Sequence, residues 1–169
     1  MKFRKPVPPP AASVLFVCLG NICRSPTAEV VFREHAGRAG IASALHIDSA
    51  GTGDWQVGEA PDRRAIQAAR RRGYDLTMLR ARQVAAADFA RFGWIIAMDE
   101  QNLRALEALR PHGYPGHVGL LLALTPDLGT VEVPDPYYGG PDGFERVLDL
   151  IERASPALLE RVAAGIAGS

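Results

Sequence analysis

The sequence predicts an α/β fold, a three-layer sandwich in which helices cover both faces of a central four-stranded parallel sheet, Rossmann-like in its alternation of strand and helix. Three observations carry this expectation. Short apolar runs at Val14–Val17, Ala44–Ser49, Trp94–Met98 and Val118–Leu122 alternate with stretches of helical periodicity. The first run is apolar on consecutive residues, as a strand buried on both faces requires. Glycine or proline ends the helical stretches at Gly40, Gly73 and Pro111.

Taken in order, the first strand closes at Gly20. A helix follows with Pro26 in its first turn and Ala28, Val31, Phe32 and His35 at helical spacing. Ala50-Gly-Thr-Gly53 breaks the second strand. Pro61-Asp62 opens a second helix, basic on one side, whose terminal Arg70-Arg-Arg72 suits the negative end of the helix dipole. A short helix over 85–92 leads into the third strand. Asp99 then caps a helix whose Leu103, Leu106 and Leu109 form a core stripe. Residues 125–141 read as a long surface loop. The last helix starts near Asp142, buries Val147, Leu150 and Ile151, and is expected to bend or restart at Ser155-Pro156.

The 169 residues suffice for one domain with its own core, and residues 13–169 are read as that domain. With 47% apolar and 22% charged residues, the chain is a globular protein and not a disordered or collagen-like one. Nineteen basic residues balance nineteen acidic ones, which gives no support to a nucleic-acid grip. The apolar runs fall far short of the ~20 residues of a membrane-crossing helix, so no membrane insertion is expected. Residues 1–12 start basic like a signal peptide. Prolines replace its apolar stretch, and a flexible Pro-rich tail is the reading. Cys18 and Cys23 lack the number and spread of a secreted disulfide framework, so they point to the cytoplasm and to chemistry.

Ligands of open α/β sheets bind where strands end and helices begin. The first such junction reads Val17-Cys-Leu-Gly-Asn-Ile-Cys-Arg-Ser-Pro26. Turn chemistry alone would explain Gly20 and Ser25, and a buried cysteine is an ordinary core residue. The joint arrangement says more. A seven-residue loop from Cys18 to Arg24 has the length to wrap one tetrahedral anion, with inward N–H groups and the positive end of the next helix. That field stabilises a thiolate at Cys18. Arg24 bonds two phosphate oxygens at once, as a lysine would not. Ser25 donates to the sulfur, and Asn21 tolerates a left-handed backbone while bracing the loop through its amide. A thiolate under a bound phosphoryl group is a covalent phosphatase mechanism in outline. The proton donor it needs is Asp135 in Pro134-Asp-Pro-Tyr-Tyr138, where prolines hold the loop extended. An ordinary Asp-Pro turn is the alternative. The paired Tyr137 and Tyr138 favour an acid beside an aromatic pocket.

The stretch Val14 to Glu29 resembles the low-molecular-weight protein tyrosine phosphatases. The resemblance continues through Asp48-Ser-Ala-Gly51, Asp54-Trp-Gln-Val-Gly58, Pro61-Asp62, Arg82-Gln83, Met98-Asp-Glu100, Asn102-Leu-Arg104 and Asp135-Pro-Tyr-Tyr138. It implies the phosphotyrosine phosphatase I type of sandwich and a cysteinyl-phosphate on Cys18. Arg24 would hold the oxygens, and Asp135 would act first as acid and then as base. The loop residues Leu19, Gly20, Asn21, Ile22, Cys23 and Ser25 would bind phosphate; Trp55, Tyr137 and Tyr138 would line the substrate pocket; Ser49 would orient Asn21. Cys23 would form a reversible disulfide with Cys18 under oxidation. A tyrosine-phosphorylated protein is the implied partner, with no metal and no cofactor. One departure is Leu79, where family members often carry a histidine that bonds the loop asparagine. The bracing of Asn21 would then fall to Ser49 alone.

Two rival activities share this loop. A phosphoarginine phosphatase carries threonine where Ile22 stands. An arsenate reductase relays its thiol through further cysteines, and this sequence has none beyond 18 and 23. A zinc site at His112 and His117 has no neighbouring cysteine or acidic cluster to complete it. Glu59 reads either as a rim residue favouring basic flanks or as a solvated acid.

Overall fold

The computed structural model describes residues 12–167, so the tail expected at 1–12 lies, but for Ala12, outside the described residues. Four strands form one parallel sheet in the order β2-β1-β3-β4: β1 (Ser13–Cys18), β2 (His46–Gly51), β3 (Trp94–Ala97) and β4 (His117–Leu120). Central β1 pairs Val14 with Ile47 on one side and with Trp94 on the other. Side chains alternate across the pleat. Val14, Phe16 and Cys18 of β1 therefore enter one core layer, and Leu15 and Val17 enter the other.

The first layer holds α1 (Arg24–Arg38), α2 (Arg63–Arg71) and α4 (Asp142–Ala167), through Val31, Phe32, Ala68, Val147 and Ile151. The second holds α3 (Glu100–Leu109) and a 3-10 turn at Ala86–Ala90, through Leu106, Phe89 and Phe92. Full burial of a side chain such as Phe16 or Phe32 contributes about 1.5–3 kcal/mol. The expected sandwich is the observed one.

Some boundaries differ from the sequence reading. Ala42–Ala44 forms a 3-10 turn, and β2 starts at His46 and runs on through Ala50 and Gly51. Gly51 belongs in the strand because a Cβ there would stand 2.7 Å from the Leu19 carbonyl oxygen; only glycine lets β2 lie so close to the loop after β1. Leu109 is 40% exposed, so the core stripe of α3 ends at Leu106. Nor does α4 restart at Pro156. It is one helix, because Ile151, Ala154, Leu158 and Val162 are all fully buried on its inner face. That burial outweighs the ~3 kcal/mol an interior proline costs. No helix among the described residues is long and apolar enough to cross a membrane.

Candidate active site

The end of β1 and the start of α1 meet at a pocket of about 290 Å³. Cys18, the last residue of the strand, and Arg24, the first of the helix, both line it. Between them the chain turns at Asn21, the one non-glycine residue at positive φ (57°) among the described residues. Asparagine is one of the few side chains that accept this conformation at low cost.

The loop is braced from three sides. Asn21 Nδ2 donates to Ser25 Oγ at 2.8 Å and to Ser49 Oγ at 3.0 Å. Asn21 Oδ1 accepts the backbone N–H of Arg82 at 3.1 Å. The bracing expected from Ser49 alone is thus shared with Ser25 and Arg82, because residues 81–84 run beside the loop and need no histidine at 79 to reach it. Arg82 is itself clamped. Its guanidinium donates to Asp48 Oδ2 at 3.0 Å and to both oxygens of Asp88 at 3.0 and 3.1 Å. Ser49 Oγ in turn donates to buried Glu29 at 2.7 Å, and Glu29 accepts from Arg33, also at 2.7 Å.

At the pocket floor, Cys18 Sγ and Ser25 Oγ are 3.0 Å apart. The single Ser25 proton points to the sulfur or to the Ala50 carbonyl at 3.3 Å, since Asn21 already donates to the same oxygen. Cys23 is different. Burial pushes its thiol well above the usual range, and the carboxylates of Asp62 and Asp135 and the Cys18 sulfur push the same way. Cys23 therefore stays protonated.

Arg24 is 2% exposed. Its Nη1 donates to Asp99 Oδ2 at 2.6 Å and to the Val133 carbonyl at 3.0 Å. Its Nη2 lies 3.7 Å from Asp135 Oδ2. Burial by itself would lower its pKa. The Cys18 sulfur and the two carboxylates overcome that, and the net shift is upward. Asp99 is the residue that the sequence reading missed. It appears there as a helix cap and within Met98-Asp-Glu100, with no part in the site; it is a cap, since Oδ1 accepts Asn102 N–H at 2.8 Å, while Oδ2 holds Arg24. Val133 is fully buried, and its N–H donates to the Met98 carbonyl at 2.9 Å, which fixes the loop leading to Asp135.

Leu19, Gly20, Ile22 and Cys23 line the pocket with Trp55, Gln56, Tyr137 and Tyr138. Trp55, Tyr137 and Tyr138 are 61%, 40% and 92% exposed, so the aromatic rim faces solvent. Asn21, Ser25 and Ser49 sit behind the lining, as braces. Gln56 stands in the sequence reading only within the resemblance at Asp54-Trp-Gln-Val-Gly58, with no role assigned to it. Glu59 is exposed, and its carbonyl serves as acceptor for Ala81 N–H. Among the described residues no group of three or more His, Cys, Asp or Glu could hold a metal ion. The ring of His117 packs 5.0 Å from that of Trp94, where burial lowers its pKa.

Residues 13–167 match the sequence model of the low molecular weight phosphotyrosine protein phosphatases. The chain belongs to that family. It is 44% identical over 158 residues to a low molecular weight protein-tyrosine-phosphatase of Streptomyces coelicolor, covering 92% of this chain and 96% of that one. A solved protein tyrosine phosphatase of Entamoeba histolytica superposes with a TM-score of 0.87 at 38% identity, over 90% of this chain and 97% of that one. A Drosophila arginine phosphatase superposes with a TM-score of 0.81 at 32% identity, over 87% and 95%. As a low molecular weight phosphatase the chain is an enzyme, and its four-stranded parallel sheet is the family's sheet.

Proposed function

We propose that the chain hydrolyses phosphotyrosine in proteins, and small aryl phosphates, through a cysteinyl-phosphate on Cys18 without a metal ion. The observation that carries this is the Cys18 sulfur beside Ser25 at the floor of a pocket that Arg24 and Asp135 share. The backbone N–H groups of residues 19–24 and the free edge of the Arg24 guanidinium hold the non-bridging oxygens. Cys18 sulfur attacks phosphorus and forms an S–P bond. The P–O bond to the ring breaks, and its electron pair leaves on the tyrosyl oxygen, which takes the proton of Asp135. Water then attacks phosphorus and gives its proton to Asp135. The S–P pair returns to sulfur, which Ser25 stabilises by donating a hydrogen bond, and inorganic phosphate departs.

Trp55 and Tyr137 flank the substrate ring, with Tyr138 beyond them. Ile22 offers an apolar surface and no hydroxyl, which favours an aryl phosphate. The arginine phosphatase among the structural neighbours supports a second reading, phosphoarginine hydrolysis. The enzyme acts as one domain over 13–169, and in the cytoplasm, where reducing conditions keep Cys18 free.

The test is hydrolysis of p-nitrophenyl phosphate near pH 6 in excess EDTA, for the wild type and Cys18→Ser. Turnover that vanishes in the variant, while phosphate still binds, is expected. Asp135→Ala is expected to slow phenyl phosphate by about 10²–10⁴-fold, and p-nitrophenyl phosphate by less. No turnover by the reduced wild type would overturn the reading. Faster release of phosphate from a phosphoarginine peptide than from a phosphotyrosine one would put the second reading first.

A further inference from the structure

Asp62 connects the phosphate loop, through Arg64, to the aromatic rim of the pocket. Its backbone N–H donates to the Ile22 carbonyl at 2.8 Å. Its carboxylate caps α2 at the Arg64 N–H, 2.8 Å away, and accepts Nε and Nη2 of the Arg64 side chain at 3.0 and 2.9 Å. Two parallel bonds to one carboxylate fix the plane of a guanidinium as well as its place. The guanidinium lies over two rings. The guanidinium carbon is 5.4 Å from the centroid of Tyr137, on the pocket rim, and 4.8 Å from that of Phe144, a buried residue of α4. A cation held over two aromatic faces ties the exposed ring to the fixed one.

Tyr137 in turn governs Asp135. The Tyr137 backbone N–H donates to Asp135 Oδ1 at 3.1 Å, which leaves Oδ2 facing Arg24. Pro136, between them, is buried, and a Cβ on Gly143 of α4 would stand 3.4 Å from it.

We infer that Arg64 is a positioning residue for proton transfer: locked by Asp62, it holds Tyr137 so that the Tyr137 amide aims the Asp135 carboxyl at the leaving oxygen. The inference rests on the reading of Asp135 as the acid. Arg64 touches no reacting atom. Without it the Asp135 carboxyl loses its aim, so cleavage that needs a proton on the leaving oxygen slows, whereas attack by Cys18 does not.

The experiment measures kcat/KM, which reports every step through P–O cleavage, on phenyl phosphate and on p-nitrophenyl phosphate. The first leaving oxygen needs a proton and the second barely does. Arg64→Met is expected to lose about tenfold on phenyl phosphate and less than about twofold on p-nitrophenyl phosphate, as a small misplacement of a catalytic group does. Arg64→Lys keeps the charge without the fork and is expected to behave like Arg64→Met. Asp62→Asn keeps the cap and loosens the clamp from its other end, with the same shift in the ratio. In Arg64→Met/Asp135→Asn the ratio is expected to equal that of Asp135→Asn alone. Equal losses on both substrates in Arg64→Met and Asp62→Asn, or a ratio in the double variant beyond that of Asp135→Asn, overturns the inference. An inactive wild type, or an unchanged ratio in Asp135→Asn, instead strikes the phosphatase reading itself.

Discussion

Replacing Asp99 with asparagine tests whether the buried Arg24 is held before substrate arrives. The substitution keeps the shape but leaves one oxygen where Asp99 uses two, so the amide caps α3 at Asn102 or accepts from Arg24 and cannot do both. It removes one negative charge 2.6 Å from Nη1. One of those two bonds is therefore lost, and the loss of a helix cap or of a charge-assisted bond costs about 1–2 kcal/mol. The bond to the Val133 carbonyl remains and limits the loss. Asp99→Ala goes further. It breaks a buried pair, for which about 3–5 kcal/mol is usual, and leaves α3 uncapped. Urea unfolding gives the stability, and kcat/KM on an aryl phosphate gives the function. Asp99→Asn is expected to lower both: stability by about 1–2 kcal/mol and activity by about 5–30-fold, the same energy read as a rate. Unchanged activity with lowered stability would show that Arg24 keeps its place without Asp99. A variant as stable as the wild type would refute the argument at its first step.

Cys23 is expected to resist alkylation by iodoacetamide at neutral pH in the native protein, because burial and nearby carboxylates keep it a thiol; peptide mapping that finds it labelled there would contradict this. At Asn21, Ala and Gly both remove the side-chain bonds, but only Ala meets the left-handed strain. Asn21→Ala is therefore expected to be about 1 kcal/mol less stable than Asn21→Gly in urea titrations, and equal stabilities would rule the strain out. Glu145 has its pKa lowered, first by its hydrogen bond to Arg72. A carboxylate lowered on folding stabilises the fold above its unfolded pKa of ~4.3, and that contribution fades as pH falls through the folded value. Acid unfolding should accordingly be less steep below about pH 4.3 in Arg72→Met than in the wild type, and parallel curves would count against this.

The sequence shows the strand–loop–helix unit well because its information is local. Apolar Val14–Val17, the turn at Gly20 and Asn21, and Pro26 in the first helical turn each report on their own neighbours. Asp99 shows why the rest stays hidden. Its capping role is written three residues away, in Asn102, whereas its partner Arg24 is 75 residues distant and reached only through sheet packing. Arg82 likewise enters the sequence reading only within the Arg82-Gln83 resemblance, because Asp48 and Asp88 come around it only once β2 and the turn at 86–90 pack beside it. Pro156 misleads for the converse reason. Local propensity argues for a bend or a restart, and the buried face of α4 overrules the restart.

The anchoring of Val133 limits how far Asp135 can travel. Val133 is tied to the end of β3 on one side and to Arg24 on the other, and Asp135 follows it by only two residues. Two fully extended residues span about 7 Å at most, and prolines on both sides of Asp135 restrict the backbone further. On so short a tether the carboxyl group needs no swinging lid to reach the pocket mouth. Substrate enters and phosphate leaves past a rim that is already in place, so turnover here should respond weakly to solvent viscosity.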